Sequence, residues 1–203
     1  MTSVAEPVFI NVPFDRQYTK LFRALVFTVE DCGFQARCAL DSEDGGQPRI
    51  QRLYAIIRAC PLGIHDLSRT SLDRANRLPR FNMPLELGMF LGAKHFGGAE
   101  QRRKSCLILD RERYRYQKFC SDIAGQDIRA HNNTVAGAIK ATRNWLQAAR
   151  GHRKYPSPAL LEKHYLQFRL DLPKMCKRNG DLVSELTFID YRTYVIGWLD
   201  ANL

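Results

Sequence analysis

Two acids in this chain interrupt apolar sequence. Glu86 lies inside RFNMPLELGMFLGAKHFG, Arg80 to Gly97, and Asp66 closes the apolar segment PLGIHDL. Arg69, Arg80 and Asn82 fall between them. Two carboxylates, an amide and guanidinium groups are the residue types a glycosyl centre uses. One carboxylate attacks or stabilises an oxocarbenium-like carbon, and the other groups hold sugar hydroxyls or a phosphate. A carboxylate needs no activation to be nucleophilic at neutral pH, and the dipole of a helix start favours its ionised form. The same dipole also offers Glu86 a purely structural use in a first helical turn, worth about 0.3–1 kcal/mol.

Hydrophobic spacing supplies the elements that position these groups. PVFINV reads as a strand ending in the turn PFD, and Tyr18 to Cys32 carries apolar residues at helical spacing up to Gly33. FQARCAL alternates as a strand, Ile50 to Cys60 is helical, and PLGIHDL is a buried strand. Met83 to Phe96 forms the next helix, with Glu86 in its first turn and Gly88 and Gly92 packed closely on the sheet. KSCLILD is a further strand, and Val135 to Ala149 a helix. This alternation predicts an α/β fold with an open, mostly parallel sheet of four or five strands and helices on both faces. Ligands in such folds bind beyond the strand carboxyl ends. That selects Asn11 to Asp15, Leu40 to Asp44, Asp66 to Arg69 and Asp110 to Arg113. Residues 1–150 are expected to form this α/β domain. Residues 151–203 are expected to form a helical C-terminal extension, Ala159 to Leu172 and Asp181 to Leu199, burying Leu160, Leu161, Tyr165, Phe168, Val195 and Trp198.

The residues GIHDLSR, FNMPLELGMFLGAKHFG and KSCLILD resemble the core of the nucleoside 2-deoxyribosyltransferase-like and TIR-like nucleotide-processing group. The resemblance spans roughly Val8 to Leu146 and implies a flavodoxin-like or TIR-like sheet. By that match Glu86 is the family's helix-start glutamate, which acts at the sugar anomeric carbon or in cleavage of the nicotinamide–ribose bond of NAD. Asp66 matches the strand-end aspartate that contacts substrate. FINVPFD is similar to the opening of TIR-like chains, which makes Asn11 and Asp15 expected nucleotide contacts.

The polar segment SDIAGQDIRAHNN should sit near the same rim. Asp127 and His131, four apart, could share one side of a helical turn, with His131 a general acid or base. Turn and cap hydrogen bonds are the plainer use of this segment. His65 should point away from Asp66 by strand alternation, as a packed histidine. YRYQKF reads as a local aromatic core, with base stacking the alternative.

The chain carries 31 Lys and Arg against 21 Asp and Glu, a net charge of +10. That balance attracts anions. Nucleic acid is one such partner, although no helix-turn-helix, zinc-finger or RNP motif supports it. Six scattered cysteines without a CxxC pair suggest reduced, mostly buried thiols in a cytoplasmic protein, and neither a secretion signal nor a membrane span is expected. Neither GxGxxG nor GxxxxGK[ST] occurs, which argues against a dinucleotide redox enzyme and a P-loop NTPase. No metal or redox cofactor is expected. NAD or a nucleotide would enter as substrate, and the extension favours a homo-oligomer. Two functions stand: an enzyme that cleaves or transfers an N-ribosyl bond of a nucleotide, nucleoside or NAD, or a non-catalytic nucleotide-sensing or assembly module of the same fold.

Overall fold

The computed structural model describes residues 5–41, 46–70, 80–151 and 154–203. The end of the Leu40 to Asp44 segment and most of the arginine-rich stretch between Arg69 and Arg80 lie outside the described residues.

Five parallel strands form one sheet: β1 (Pro7–Asn11), β2 (Gln35–Arg37), β3 (Leu62–Asp66), β4 (Ser105–Asp110) and β5 (Ile128–Ala130). Their order is β2-β1-β3-β4-β5. This is the flavodoxin-like doubly wound order, whose direction reverses between β1 and β3. The connecting helices are α1 (Thr19–Asp31), α2 (Arg49–Ala59), α3 (Asn82–Phe96), the short α4 (Ala99–Arg102) and α5 (Val135–Ala149). Two C-terminal helices follow, α6 (Pro158–Asn179) and α7 (Phe188–Asn202).

Strand alternation divides the core. Val8, Ile10, Leu62, Ile64, Leu107 and Leu109 pack with α1, α5 and both C-terminal helices. Phe9 packs with Leu53, Ile56, Ile57 and Phe90 on the other side, under α2 and α3. His65 is buried there, its ring 4.9 Å from Phe90 and 5.7 Å from Phe9. Burial pushes its pKa down to about 3, so it is a neutral, packed histidine as strand alternation predicts. Gly63 makes this packing fit: a Cβ there would stand 2.8 Å from His65 Nε2 and 2.9 Å from the Phe90 ring.

Several local expectations are corrected. β5 falls within the segment read as polar loop. At three residues it is too short to show a period. Gly88 and Gly92 do not face the sheet, because a Cβ at either would meet nothing within 4 Å. The apolar face of α3 is instead Met83, Leu87 and Phe90. Lys104 is buried, and its ammonium donates to the carbonyls of Ile57 and Cys60, both at 2.5 Å, satisfying the end of α2. All six cysteines are free, with Cys32, Cys38, Cys60 and Cys176 buried.

The C-terminal helices share the core of α1. Phe27 of α1 lies 5.2 Å from Phe168, 5.3 Å from Tyr165 and 5.9 Å from Trp198, centroid to centroid. Leu161, Tyr165, Phe168, Val195 and Trp198 are buried, whereas Leu160 faces solvent at 41 % exposure. Arg192 pairs with Glu30 at 2.6 Å and His164 with Asp31 at 2.9 Å. α6 runs through Pro173 rather than ending at Leu172. The proline removes one helical hydrogen bond, yet continuing buries Cys176 on the core before Gly180 ends the helix at φ 80°. α7 starts at Phe188 rather than Asp181, set by a capping box in which Thr187 and Asp190 satisfy each other's backbone N–H. No helix among the described residues is long and apolar enough to cross a membrane.

Candidate functional site

The strand carboxyl ends at the β1/β3 reversal gather several of the marked residues. Asn11 ends β1, buried, and its Nδ2 donates to the Met83 carbonyl at 3.0 Å and lies 3.0 Å from His65 Nδ1. This amide ties β1 to the first turn of α3. Asp15, in the loop after β1, meets Arg69 from the loop after β3, with Nε to Oδ2 at 3.2 Å. Arg80, just before α3, approaches the same oxygen at 3.7 Å. Arg69 Nη1 also donates to Gln17 Oε1 at 2.7 Å. Both arginine side chains remain about half exposed, at 40 % and 45 %. Two guanidinium groups thus hang over the reversal point, held by one acid that a phosphate could replace. Asn82 is exposed at the start of α3.

Glu86 is the fifth residue of α3 and so belongs to its second turn, not its first. The dipole expectation is overturned with it: the side chain is buried at 7 % exposure, and desolvation pushes its pKa up to about 7. Arg49, at the start of α2, opposes that rise but does not cancel it. Among the described residues the carboxyl has no hydrogen-bond or ion-pair partner. Its charge is felt at Cys38, after β2, whose own thiol burial pushes up. Glu86 therefore looks toward the β2–α2 side of the rim.

Asp66 looks the other way. Its Oδ2 accepts a short hydrogen bond from the Tyr18 hydroxyl at the start of α1, and its Oδ1 accepts from the Ser68 N–H at 2.7 Å. His131 Nε2 stands 3.0 Å from Oδ2, too oblique for a full hydrogen bond. The Asn133 N–H donates to His131 Nδ1 at 3.0 Å, so the neutral ring carries its proton on Nε2, toward Asp66. Asp66, Tyr18 and His131 are all buried. Burial and the Asp66 charge hold the Tyr18 phenol well above its ordinary pKa, so it stays a donor. The trio fastens β3 to the starts of α1 and α5. It is a positioning network on the face opposite Glu86.

Asp127 and His131 do not share a helical turn. They flank β5, and an extended chain separates them by roughly 13 Å. Asp127 is exposed and pairs with Arg129 at 2.6 Å. In YRYQKF only Tyr116 is core. Tyr114 is 67 % exposed, and Arg115 is a clamp, bonding Asp110 at 2.7 Å, the Leu67 carbonyl at 2.6 Å and Thr70 at 3.1 Å. Neither Tyr18 nor Arg115 was marked from sequence. A tyrosine at a helix start and one arginine among many carry no distinguishing spacing.

A cleft of about 260 Å³ opens beside Asp15, between Phe14, Phe22, Leu40 and the α7 approach at Leu186–Phe188. The C-terminal extension thus supplies one of its walls. No group of three or more His, Cys, Asp or Glu among the described residues could hold a metal ion. No protein-family model matches the chain, and no curated protein matches it.

The Asp66 network carries a stability prediction. Tyr18→Phe deletes one hydroxyl and leaves a buried acceptor unmade, so it should cost about 1–3 kcal/mol. Urea unfolding at pH 7 should show the midpoint falling with the m-value unchanged. An unchanged midpoint would show the contact to be energetically idle.

Proposed function

We propose that this protein processes a nucleotide or NAD by breaking an N-ribosyl bond, with Glu86 as the carboxylate at the anomeric carbon. The observation that carries the reading is the state of Glu86: a buried carboxyl without a hydrogen-bond or ion-pair partner among the described residues, pushed to about 7, one helical turn beyond the Asn11–Met83 link. Strongly perturbed acids concentrate at functional sites, and this one lies near a strand-end crevice. Arg69 and Arg80 are suited to the substrate phosphate, which would exchange with Asp15 for their N–H groups. Asn82 is within the same approach. Asp66 acts through the fold, as a positioning residue.

In the reaction the C1′–N bond breaks and its electron pair leaves with the base. The ionised Glu86 stabilises the positive charge left on the ribose, or bonds to C1′. Water or an acceptor nucleophile then adds, and its proton passes to solvent. The carboxylate is the working form, so below about pH 7 activity should fall close to tenfold per pH unit. The test is incubation with a panel of nucleosides, nucleotides and NAD across pH 5 to 9, with released base read by chromatography. Activity equal at pH 5 and pH 8 would remove Glu86 from the chemistry.

One observation favours a second reading, a nucleotide-sensing or assembly module without turnover. Asp66 accepts from Tyr18 and sits beside His131 on the face opposite Glu86, so Glu86 has no second acid or base beside it among the described residues. Saturable nucleotide binding with no product over the whole panel would select this reading.

A further inference from the structure

A second groove lies far along the sheet from Glu86, at its β5 edge. It measures about 1070 Å³ and runs along α5 beside β4 and β5. Its existence follows from strand length. β4 has six residues, but β5 pairs only with Ile108 to Asp110, leaving the first half of β4 without a neighbour on that side. α5 forms the opposite wall through Gly137, Lys140, Asn144 and Ala148, a stretch of roughly 17 Å at 1.5 Å per residue.

The lining is cationic and aromatic at once. Arg113 comes from the loop after β4, Arg129 from β5 and Lys140 from α5. Only Asp127 opposes them, as the partner of Arg129. Tyr114, held at φ 62° and 67 % exposed, and Trp145, half-buried against the core, line the same space. The Trp145 indole N–H donates to Ser105 Oγ at 3.3 Å, so the ring brings its aromatic surface rather than a free donor.

We propose that this groove binds a single strand of nucleic acid. Three cations from three separate segments follow a chain of phosphates better than one compact phosphate. Aromatic rings alongside a basic track are what unpaired bases stack on. The length suits roughly three to five nucleotides at the phosphate spacing of one strand. An acidic peptide would satisfy the cations but leave the aromatic faces without planar partners. The site is independent of Glu86, so it stands or falls separately from the N-ribosyl reading.

The test uses the full chain with a fluorescein-labelled oligo-dT 12-mer, read by anisotropy at several salt concentrations. Binding is expected with a log–log salt slope of about −2, two to three phosphates at −0.7 each. Trp145 emission should be quenched in parallel, and Trp145→Phe should remove that quench. Arg113→Glu with Lys140→Glu should weaken binding at least tenfold. Tyr114→Ala should weaken it severalfold with the salt slope kept, since stacking releases no counterion. Lys163→Glu with Lys174→Glu, an equal charge change on the exposed side of α6, should leave it within twofold. The proposal is overturned if the α6 pair weakens binding as much as the groove pair, which would mean net charge alone. It is equally overturned if a polyglutamate of equal charge competes as well as unlabelled oligo-dT, or if no binding occurs at low salt.

Discussion

Glu86→Gln should abolish base release and, at pH 8, make the protein more stable than the parent. The sign follows from the pKa. The folded-state value of about 7 lies above the ordinary 4.5, so the fold prefers the protonated acid. The stability this supplies is complete below about pH 4.5 and is lost as pH rises through 7. At pH 8 the parent carries a buried carboxylate with no ion-pair partner among the described residues, at a cost of roughly 3 kcal/mol, the shift converted at 1.36 kcal/mol per unit. Glutamine keeps the shape and removes the charge, so it recovers much of that cost. The measurement is the melting temperature of both proteins from pH 4.5 to pH 8. The parent should lose stability across this window relative to the variant, and the curves should meet near its acid end. Parallel curves would mean that Glu86 ionises without strain. Base release at the parent rate by the variant would end the catalytic reading even if the stability result held.

Ending the chain at Gly151 should leave a protein that does not fold cooperatively. The deletion strips Tyr165, Phe168, Leu172, Val195 and Trp198 from the core and bares Phe27 and its neighbours on α1. Each such side chain contributes about 1.5–3 kcal/mol by burial. Their sum reaches the whole stability of an ordinary domain, about 5–15 kcal/mol. Size-exclusion chromatography and near-ultraviolet circular dichroism should show aggregation and loss of fixed tertiary packing. A single substitution gives a graded form of the test: Phe168→Ala should cost about 3–5 kcal/mol in the full chain. A truncated chain that remains monodisperse, with the parent melting temperature, would show the two helices to be an appendage. The same deletion removes the Leu186–Phe188 wall of the cleft beside Asp15, so binding and folding should fail together.

The elements whose pattern is long and regular were legible in the sequence. α1, α2, α3 and α5 bury stripes at helical spacing and fall within two residues of their expected ends. Four strands stand out because their burial alternates or is continuous. Strand alternation also put His65 and Asp66 on opposite faces, since side-chain direction in a strand is a local property. β5 was not legible, because three residues carry no period and their strand character comes from β4. The length of α6 was missed for a related reason. Pro173 is a local stop signal, and only the core beneath Leu172 and Cys176 outweighs it.

Local chemistry determined which residues could act, and tertiary packing decided what each became. Asp66 and Glu86 are both acids beside apolar sequence. Asp66 received Tyr18 and His131, from positions 48 and 65 residues away along the chain, and Glu86 received none among the described residues. That difference sets one acid as a fastening and leaves the other strained near neutrality. No spacing rule encodes it, because desolvation depends on what the fold stacks above a side chain. The same holds for cations: Lys104 and Arg115 became buried struts, while Arg69 and Arg80 stayed open over the reversal of the sheet. The sequence by itself determined the alternating α/β order and the carboxyl-end rim. Only the three-dimensional packing, through burial and partners distant in the chain, decided that Glu86 is buried with its pKa raised while Asp66 is tied to Tyr18.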